Sequence, residues 1–497
     1  MGRPLKILPD IAGAYSFIIF IAFVLFAGKK ALGDGDTLWH IKIGELMIDR
    51  GEILTRDIYS HTAPGKAWIS HEWLAEVIMG AIHRFTGLPG VVIFYFLVAA
   101  LSFWILFIVA QRCGAGEWLS IFSVSVALGL AVTHLLARPH IFTWLLGLTT
   151  VYILVAGGKK LYWLPFLMVP WVNLHGGFAL GLALQCAFIG GRILDRFQKE
   201  SARPRFHELW EQNKGRVGIL LLSLLATGVN PFGYSLLLFP FEVSKEVFST
   251  LVSEWNSPSL QAFWYFRIYL LFLFFLLFFS GPSINWTNRL LLLLLVNASL
   301  VHARHISIAG LFLTPMIVQS TKALLVQLPL PERKIKPENE LMVSRASGPI
   351  GLTILALLLI LVQWTPWKKA SEILIPLPER FSFAAIEFLK TNQPDGNLLN
   401  NDEWGDFLIY AMDPPPKLFI DGRLDMYGEN ILKDYAKIVK LDEDADILLD
   451  SYDIGWVLSP PSPLTRYLSA GGKWQTIYSD EHVSILCRKQ TENCLQK

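Results

Sequence analysis

Apolar runs recur along the first three quarters of the chain, and most come close to the roughly 20 residues a membrane-spanning helix needs. Eleven such runs stand near 11–32, 89–110, 117–137, 139–157, 160–173, 174–194, 217–239, 263–281, 288–302, 304–322 and 348–364, and each is expected to cross a membrane as a helix. The shortest pair meets at "MVPWVNLHGGF" (168–178), where Pro170 and two glycines allow either one kinked helix or a tight turn between two.

Between the first two runs the pattern changes. In 36–51, Leu38, Ile41, Leu46 and Met47, widened by Trp39 and Ile43, mark an amphipathic helix that should end at Gly51. A turn-rich piece, "SHTAPGKAW" (60–68), leads to "SHEWLAEVIMGAIHRF" (70–85), with Ser70 as its expected N-cap and Trp73, Leu74, Val77, Ile78 and Ile82 on one face. Both helices are expected to lie at the membrane surface. Near the C-terminus, strand-like runs "NLLNN", "KLFID", "GWVLSP", "WQTIYS" and "VSILCR" alternate with the helical segments "FAAIEFLK", "WGDFLIYAM", "NILKDYAKIV" and "LTRYLSAG", predicting a small α/β domain. The fold expected is a polytopic α-helical membrane domain over 1–364, with a long outer loop at 33–88, followed by a soluble α/β domain over 365–497.

Composition agrees with a membrane class: 53% of residues are apolar, 17% are charged and the mean hydropathy is +0.44. The net charge of +2 balances 43 basic against 41 acidic residues, so no nucleic-acid partner is implied. Basic residues collect in 190–218 and 330–345, with Lys159, Lys160, Arg3 and Lys6 on the same side, which should be cytoplasmic. Eleven spans then put the C-terminal domain outside the cell (inner) membrane. Lys29 and Lys30 stand at the outer end of the first span, where lysines can snorkel to headgroups. Cys487 and Cys494 could pair if their compartment is oxidising.

With sides assigned, the titratable groups divide unevenly. The outer face receives Asp34, Asp36 and His40 of "GDGDTLWH", then His61, His71 and Glu72, Arg138 and His140 of "ARPH", His175, Glu254, and Arg304 and His305 of "VHARH". Among 11 histidines only His207 stands in the inner loops, and ionisable groups at membrane depth point to function. Interfacial anchoring is the alternative for each residue singly, as are a turn role for Asp34 and an N-cap role for Asp36.

A span, a long outer loop opening on an acidic motif, many further spans and an outer domain resemble the GT-C class of integral-membrane glycosyltransferases. The segments at 35–76, "WVNLHGGFALG", "NPFGYSLLLFP" and "LFIDGRLDMYG" are similar to a group of bacterial GT-C-like membrane proteins, over nearly the whole chain. The resemblance implies a polyprenyl-phosphate-linked sugar donor, a surrounding of membrane lipids and an extracytoplasmic acceptor. Such transfer needs a carboxylate base and cations for the leaving phosphate. Asp36 is the first choice of base and Asp34 the second. Arg138, His140, Arg304 and His305 are candidates for the phosphate, and His175 for phosphate or sugar. An alternative use of Asp34 and Asp36 is to hold a divalent metal, Mg or Mn, together with His40. In the last domain "NNDEWGDFLIYAM" and "LFIDGRLDMYG" faintly resemble the "WWDYG" segment of oligosaccharyltransferase catalytic subunits, which makes Trp404, Asp421 and Arg423 acceptor-side candidates. The chain has one tryptophan there and no following tyrosine, so sequon recognition is not carried over.

Two other classes remain open at this point. A lipid or glycan transporter would place ionisable groups mid-membrane, where Arg267 and Asn297 are the main examples; a non-catalytic scaffold could keep the same fold. The chain has no glycine-rich phosphate loop, which disfavours a nucleotide-sugar donor. The basic-loop bias yields the first prediction. Reporter fusions after residues 205 and 335 should read cytoplasmic, and fusions after 60 and at the C-terminus external; a cytoplasmic C-terminus would refute the assignment.

Overall fold

The computed structural model describes residues 8–199, 204–239, 252–280, 283–327, 343–344, 346–361, 380–489 and 494. The domain boundary expected at 364–365 and most of the basic linker lie outside the described residues. Helices dominate up to Leu361: α1 (Ile11–Phe26), α2 (Asp36–Arg50), α3 (Trp73–Arg112), α4 (Glu117–Ala131), α5 (His140–Ala156), α6 (Leu164–Leu174), α7 (Phe178–Lys199), α8 (Phe206–Ala226), α9 (Trp264–Ser280), α10 (Trp286–Val301), α11 (Ile306–Phe312), α12 (Thr314–Gln327) and α13 (Ser347–Leu361). Large apolar side chains such as Ile18, Phe274, Phe278 and Leu293 face outward, as lipid-facing surfaces require.

The eleven full-length spans are not found. Among the described residues, three helices are long and apolar enough to cross a membrane alone: α3, α4 with its extension to His134, and α7. The pair 303–312 and 314–327, bent by 51°, makes a fourth. α1, α5, α9, α10 and α13 are apolar but shorter, and a helix of 16 residues such as α1 reaches only about 24 Å of a hydrocarbon layer of about 30 Å. The run at 160–173 yields an α6 of 11 residues that keeps Pro170 inside it and is closed by His175 in an extended conformation, so the tight turn between two helices is confined to 175–177. α8 starts ahead of the run at 217–239 and ends within it at Ala226, where Asn230 builds a turn: its side chain bonds Thr227 O, Gly233 O and the amide of Phe232.

α2 begins and ends where the pattern placed it, with Gly51 at φ 65° closing it. Gly35 is its N-cap and Asp36 stands in its first turn, so Asp36 is not the cap. Ser70 does not cap α3 either; its hydroxyl donates to Glu76 at 2.7 Å. Gly87, at φ 66° ahead of Pro89, breaks α3, so the second surface helix and the second span run on as one bent element. Neither α2 nor the start of α3 lies free on a membrane surface. They cross so tightly that a Cβ on Gly44 would come within 1.8 Å of Glu76 O, and one on Gly80 within 2.5 Å of Glu45 N. The C-terminal domain joins the same contact: His83 of α3 touches both Glu45 of α2 (2.7 Å) and the Tyr410 hydroxyl (3.0 Å).

That domain holds four strands, β1 (Asn397–Asn400), β2 (Ile454–Ser459), β3 (Trp474–Ser479) and β4 (Ser484–Arg488), in the order β1-β2-β4-β3. β1 and β2 are parallel and the other pairs antiparallel. Helices accompany them among the described residues, the longer ones being α14 (Phe383–Thr391), α15 (Asp402–Ala411), α16 (Glu429–Lys440), α17 (Ala445–Ser451) and α18 (Pro463–Ala470). Cys487 and Cys494 form a disulfide. "KLFID" is not a strand of this sheet. The Asn400 side chain bonds Ile420 O (2.7 Å) and the amide of Phe419 (2.9 Å), taking up backbone groups that a strand would offer to a neighbour. Leu418 instead bridges to Ser60 of the outer loop, exchanging bonds with Tyr59 O and the amide of His61.

Beside this bridge Arg423 is 1% exposed and joins the two halves of the molecule. It donates to both oxygens of Asp421 (2.9 and 2.6 Å) and to Asp57 of the outer loop (2.7 Å), and its guanidinium lies over the rings of Tyr59 and Trp68. Removing one member of a buried ion pair typically costs about 3–5 kcal/mol. Arg423→Gln is therefore expected to lower the thermal unfolding midpoint and to expose 52–72 to limited proteolysis; an unchanged digestion pattern would show that the two halves are held by other contacts.

Candidate active site

The acidic motif closes the turn between α1 and α2, and the "ARPH" turn between α4 and α5 is fastened beside it by the amide of Ala137 donating to Ala31 O (2.9 Å). This places Arg138 against both aspartates: Nη1 lies 3.1 Å from Asp34 Oδ2, and Nη2 pairs with Asp36 Oδ2. Nη1 also lies 3.8 Å from Glu254, which in turn holds Arg304 at 3.3 Å, and the Arg304 guanidinium covers the Trp255 ring at 4.5 Å. Burial acts to raise Glu254, but Arg304 and Arg138 overcome it and hold the carboxyl down at about 2. Asp34 goes the other way: burial, helped by Asp36 and Glu254, raises it despite Arg138, and its Oδ1 is buried without a hydrogen-bond partner among the described residues.

A second cluster surrounds Glu72. Its carboxylate meets His40 Nε2 (3.4 Å), His71 Nε2 (3.6 Å) and His175 Nε2 (3.4 Å). His175 Nδ1 accepts the amide of Gly177 at 2.9 Å, which assigns its ring proton to Nε2, facing Glu72. Burial opposes ionisation of both Glu72 and His71, yet their mutual attraction prevails: Glu72 is held well below the usual carboxylate range and His71 is raised to about 9. Glu72 and His71 thus stand as an ion pair at neutral pH.

Both clusters line one cavity of about 810 Å³. Its apolar wall comes from α7 and α10, through Ala179, Leu180, Ala183, Leu294, Leu295 and Ala298, and its roof from the C-terminal domain, through Arg380, Asp402, Glu403, Gly422, Leu424 and Asp425. The roof grips the motif directly, because Arg380 donates to Gly33 O and pairs with Glu403. Gly422 must be glycine here: a Cβ would lie 2.6 Å from Trp39 Nε1, 2.8 Å from Asp36 Oδ1 and 2.9 Å from Asp406 Oδ1. Asp406 accepts the amide of Gly422 (2.7 Å) and is raised well above the usual range by burial, with Asp36 and Asp421 adding to the shift.

Of the residues singled out from the sequence, the cavity gathers Asp34, Asp36, His40, His71, Glu72, Arg138, His140, His175, Glu254, Arg304 and His305. His140 and His305 each spend one ring nitrogen on a backbone carbonyl, His134 O and Ala298 O. Four candidates lie elsewhere. His61 packs under the C-terminal domain against Leu398 O and Phe419. Trp404, Asp421 and Arg423 are buried in that domain, at 2%, 0% and 1% exposure, and cannot touch an acceptor; their neighbours Asp402, Glu403, Gly422 and Asp425 are the residues that reach the cavity. The metal set Asp34, Asp36 and His40 is not assembled, since both ring nitrogens of His40 face Glu72 and Glu76 while both aspartates face Arg138. Among the described residues no group of three His, Cys, Asp or Glu side chains is placed to hold a metal ion.

No family model matches the sequence, and no curated protein sequence does. Among solved structures the chain is similar to the crystal structure of the Archaeoglobus fulgidus oligosaccharyltransferase in the apo form, with a TM-score of 0.52 over 90% of this chain and 69% of that one. At 9% identity the likeness is one of fold alone.

The roof carboxyls yield a pH prediction. Burial, reinforced by Glu403 and Asp36, raises Asp402 to about 7, and burial raises Asp425 to about 6 although His71 opposes it. A raised carboxyl stabilises the fold fully below its unfolded value near 3.8, and that contribution is lost as pH rises through 6–7. Asp402→Asn, which cannot ionise, should raise the unfolding midpoint most at pH 8, less at pH 5 and hardly at all at pH 3; equal shifts at all three pH values would refute the assignment.

Proposed function

We propose that the protein is a membrane glycosyltransferase that moves a sugar from a polyprenyl-phosphate-linked donor to an acceptor on the extracytoplasmic side of a cell membrane. The observation that carries this reading is the cavity itself. One space of about 810 Å³ has carboxylates, guanidinium groups and imidazoles on one part of its lining and small apolar side chains of α7 and α10 on another. That mixed lining suits a donor with a charged head on an apolar chain. Leu294 supports a lipid approach from this side, since it lines the cavity and is also 43% exposed on the bundle surface.

In this reading Asp36 is the base. Its Oδ2 is fixed by Arg138, and its Oδ1 stands close under Gly422 of the roof. The acceptor hydroxyl or amide gives its proton to Asp36 as its oxygen or nitrogen bonds to the anomeric carbon. The bond from that carbon to the phosphate oxygen breaks, and the electron pair leaves with the polyprenyl phosphate. Arg138 and Arg304 take up that charge by exchanging their contacts with Asp34 and Glu254 for the phosphate, with His140, His175 and His305 at hand as further donors. Asp402, Glu403 and Asp425 face the acceptor from the roof. No step is assigned to a metal, because His40 is turned away from the aspartates.

The reading is tested with purified protein and extracted polyprenyl-phosphate sugars, following labelled product with and without Mg²⁺ or Mn²⁺. Asp36→Asn keeps the shape but cannot take the proton, so turnover should fall by about 10² to 10⁴ with donor binding retained. Arg138→Ala should weaken donor binding instead. Full activity in Asp36→Asn would make the carboxylate structural, and rescue of both Asp34→Asn and Asp36→Asn by divalent ion would replace the base with a shared metal.

A further inference from the structure

A second cavity, of about 350 Å³, lies at the far ends of the helices that build the first. α5, α7 and α10 line both: Thr143, Ala179 and Ala298 face the first, while Val155, Arg192 and Thr287 face the second. Along α7, 13 residues separate Ala179 from Arg192, about 20 Å of helix, so the two cavities belong to opposite faces of the bundle.

The second cavity is lined by both cationic and apolar side chains. Arg192 of α7 and Arg216 of α8 both line it, and among the described residues neither is ion-paired to a carboxylate. Arg216 donates to Gln212 O of its own helix at 3.1 Å. Asp195, the carboxylate in the same wall, accepts the amide of Trp286, the first residue of α10, at 2.9 Å and is not within ion-pair distance of either arginine. The same cavity is also lined by Leu161, Leu164, Phe188, Ile189 and Ile219, the last three within one helical turn of an arginine on α7 or α8. Two guanidinium groups and one carboxylate leave the lining with a net positive charge, and a phosphate, which a guanidinium fork matches in shape and charge, would offset it. The apolar side chains ask for something a free phosphate lacks. Basic pockets between membrane helices, on the face where Lys and Arg collect, are suited to anionic headgroups, and Lys159 and Lys160 are exposed at this same end.

We propose that this cavity is a binding site for an anionic phospholipid of the leaflet opposite the acidic motif, its phosphate held between Arg192 and Arg216 and its acyl chain along Leu161, Leu164, Phe188 and Ile219. The site needs only a membrane-embedded bundle and is independent of the glycosyltransferase reading.

The test uses the full chain in detergent, titrated with phosphatidylglycerol or phosphatidylcholine and read by native mass spectrometry and thermal protection. Phosphatidylglycerol should bind in preference to phosphatidylcholine, and Arg192→Gln combined with Arg216→Gln should weaken it roughly 30-fold. Lys159→Gln with Lys160→Gln removes the same charge outside the cavity and should leave binding unchanged. Where the Gln pair fails to fold, Arg192→Lys with Arg216→Lys keeps the charge and should still weaken binding several-fold by losing the fork. Undiminished binding in the Arg variants, equal loss in the lysine pair, or Arg-dependent protection by inorganic phosphate alone would each overturn the proposal. None of these readouts depends on sugar transfer, so the test stands whether or not Asp36 proves to be a base.

Discussion

A guanidinium taken out of water must find anions, and Arg423 finds one in each half of the molecule. Asp421 lies two residues away, but Asp57 belongs to the outer loop, and no rearrangement of the C-terminal domain alone could replace it. Separating the halves would leave a buried cation and two buried carboxylates to be rehydrated together. Gly422, between Asp421 and Arg423, is thereby held over Trp39 and Asp36, and its amide fixes Asp406. The roof of the cavity is thus a consequence of one ion cluster behind it, and the Leu418–Ser60 bridge beside that cluster sets its register.

The charge inventory of the cavity explains its uneven protonation. Seven carboxylates and three arginines line it. Glu72 and Glu254 are held down by the cations around them; Asp34, which shares Arg138 with Asp36 and Glu254, and Asp402 and Asp425 are pushed upward by burial. Near neutral pH the cavity therefore holds firmly fixed charges beside groups that are easily switched. An anionic guest would compete for Arg138 and Arg304 with carboxylates already in place. That competition favours guests whose charge grows during reaction over those that arrive with all of it.

Much of this was legible in the sequence where a residue type has one dominant physical use. The 36–51 helix followed from its apolar spacing and its terminal glycine, and the collection of His and Arg at loop level did foreshadow a common site. Other features failed for identifiable reasons. Hydropathy counts apolar residues but not where Asn230 folds a turn or where Gly87 bends a helix, so runs that looked like spans proved short, shifted or fused. The strand reading of "KLFID" failed because the Asn400 side chain satisfies the backbone on one side and the outer loop on the other, a long-range arrangement that no local pattern encodes. Trp404, Asp421 and Arg423 were the conspicuous residues of their segments, yet conspicuous size and charge there serve the core; plainer neighbours such as Asp402 and Gly422 reach the cavity.

The crossing of α2 over α3 at Gly44 and Gly80 brings two backbones together with no side chain between them. A contact of that kind cannot slip by a fraction of a helical turn without collision, so the acidic motif at the head of α2 is carried as a rigid extension of the membrane helix. Any breathing of the cavity has to come from its other walls. α7 and α10, which form its apolar wall, are themselves locked to each other where Gly191 meets the backbone of Thr287, so that wall moves only as a pair.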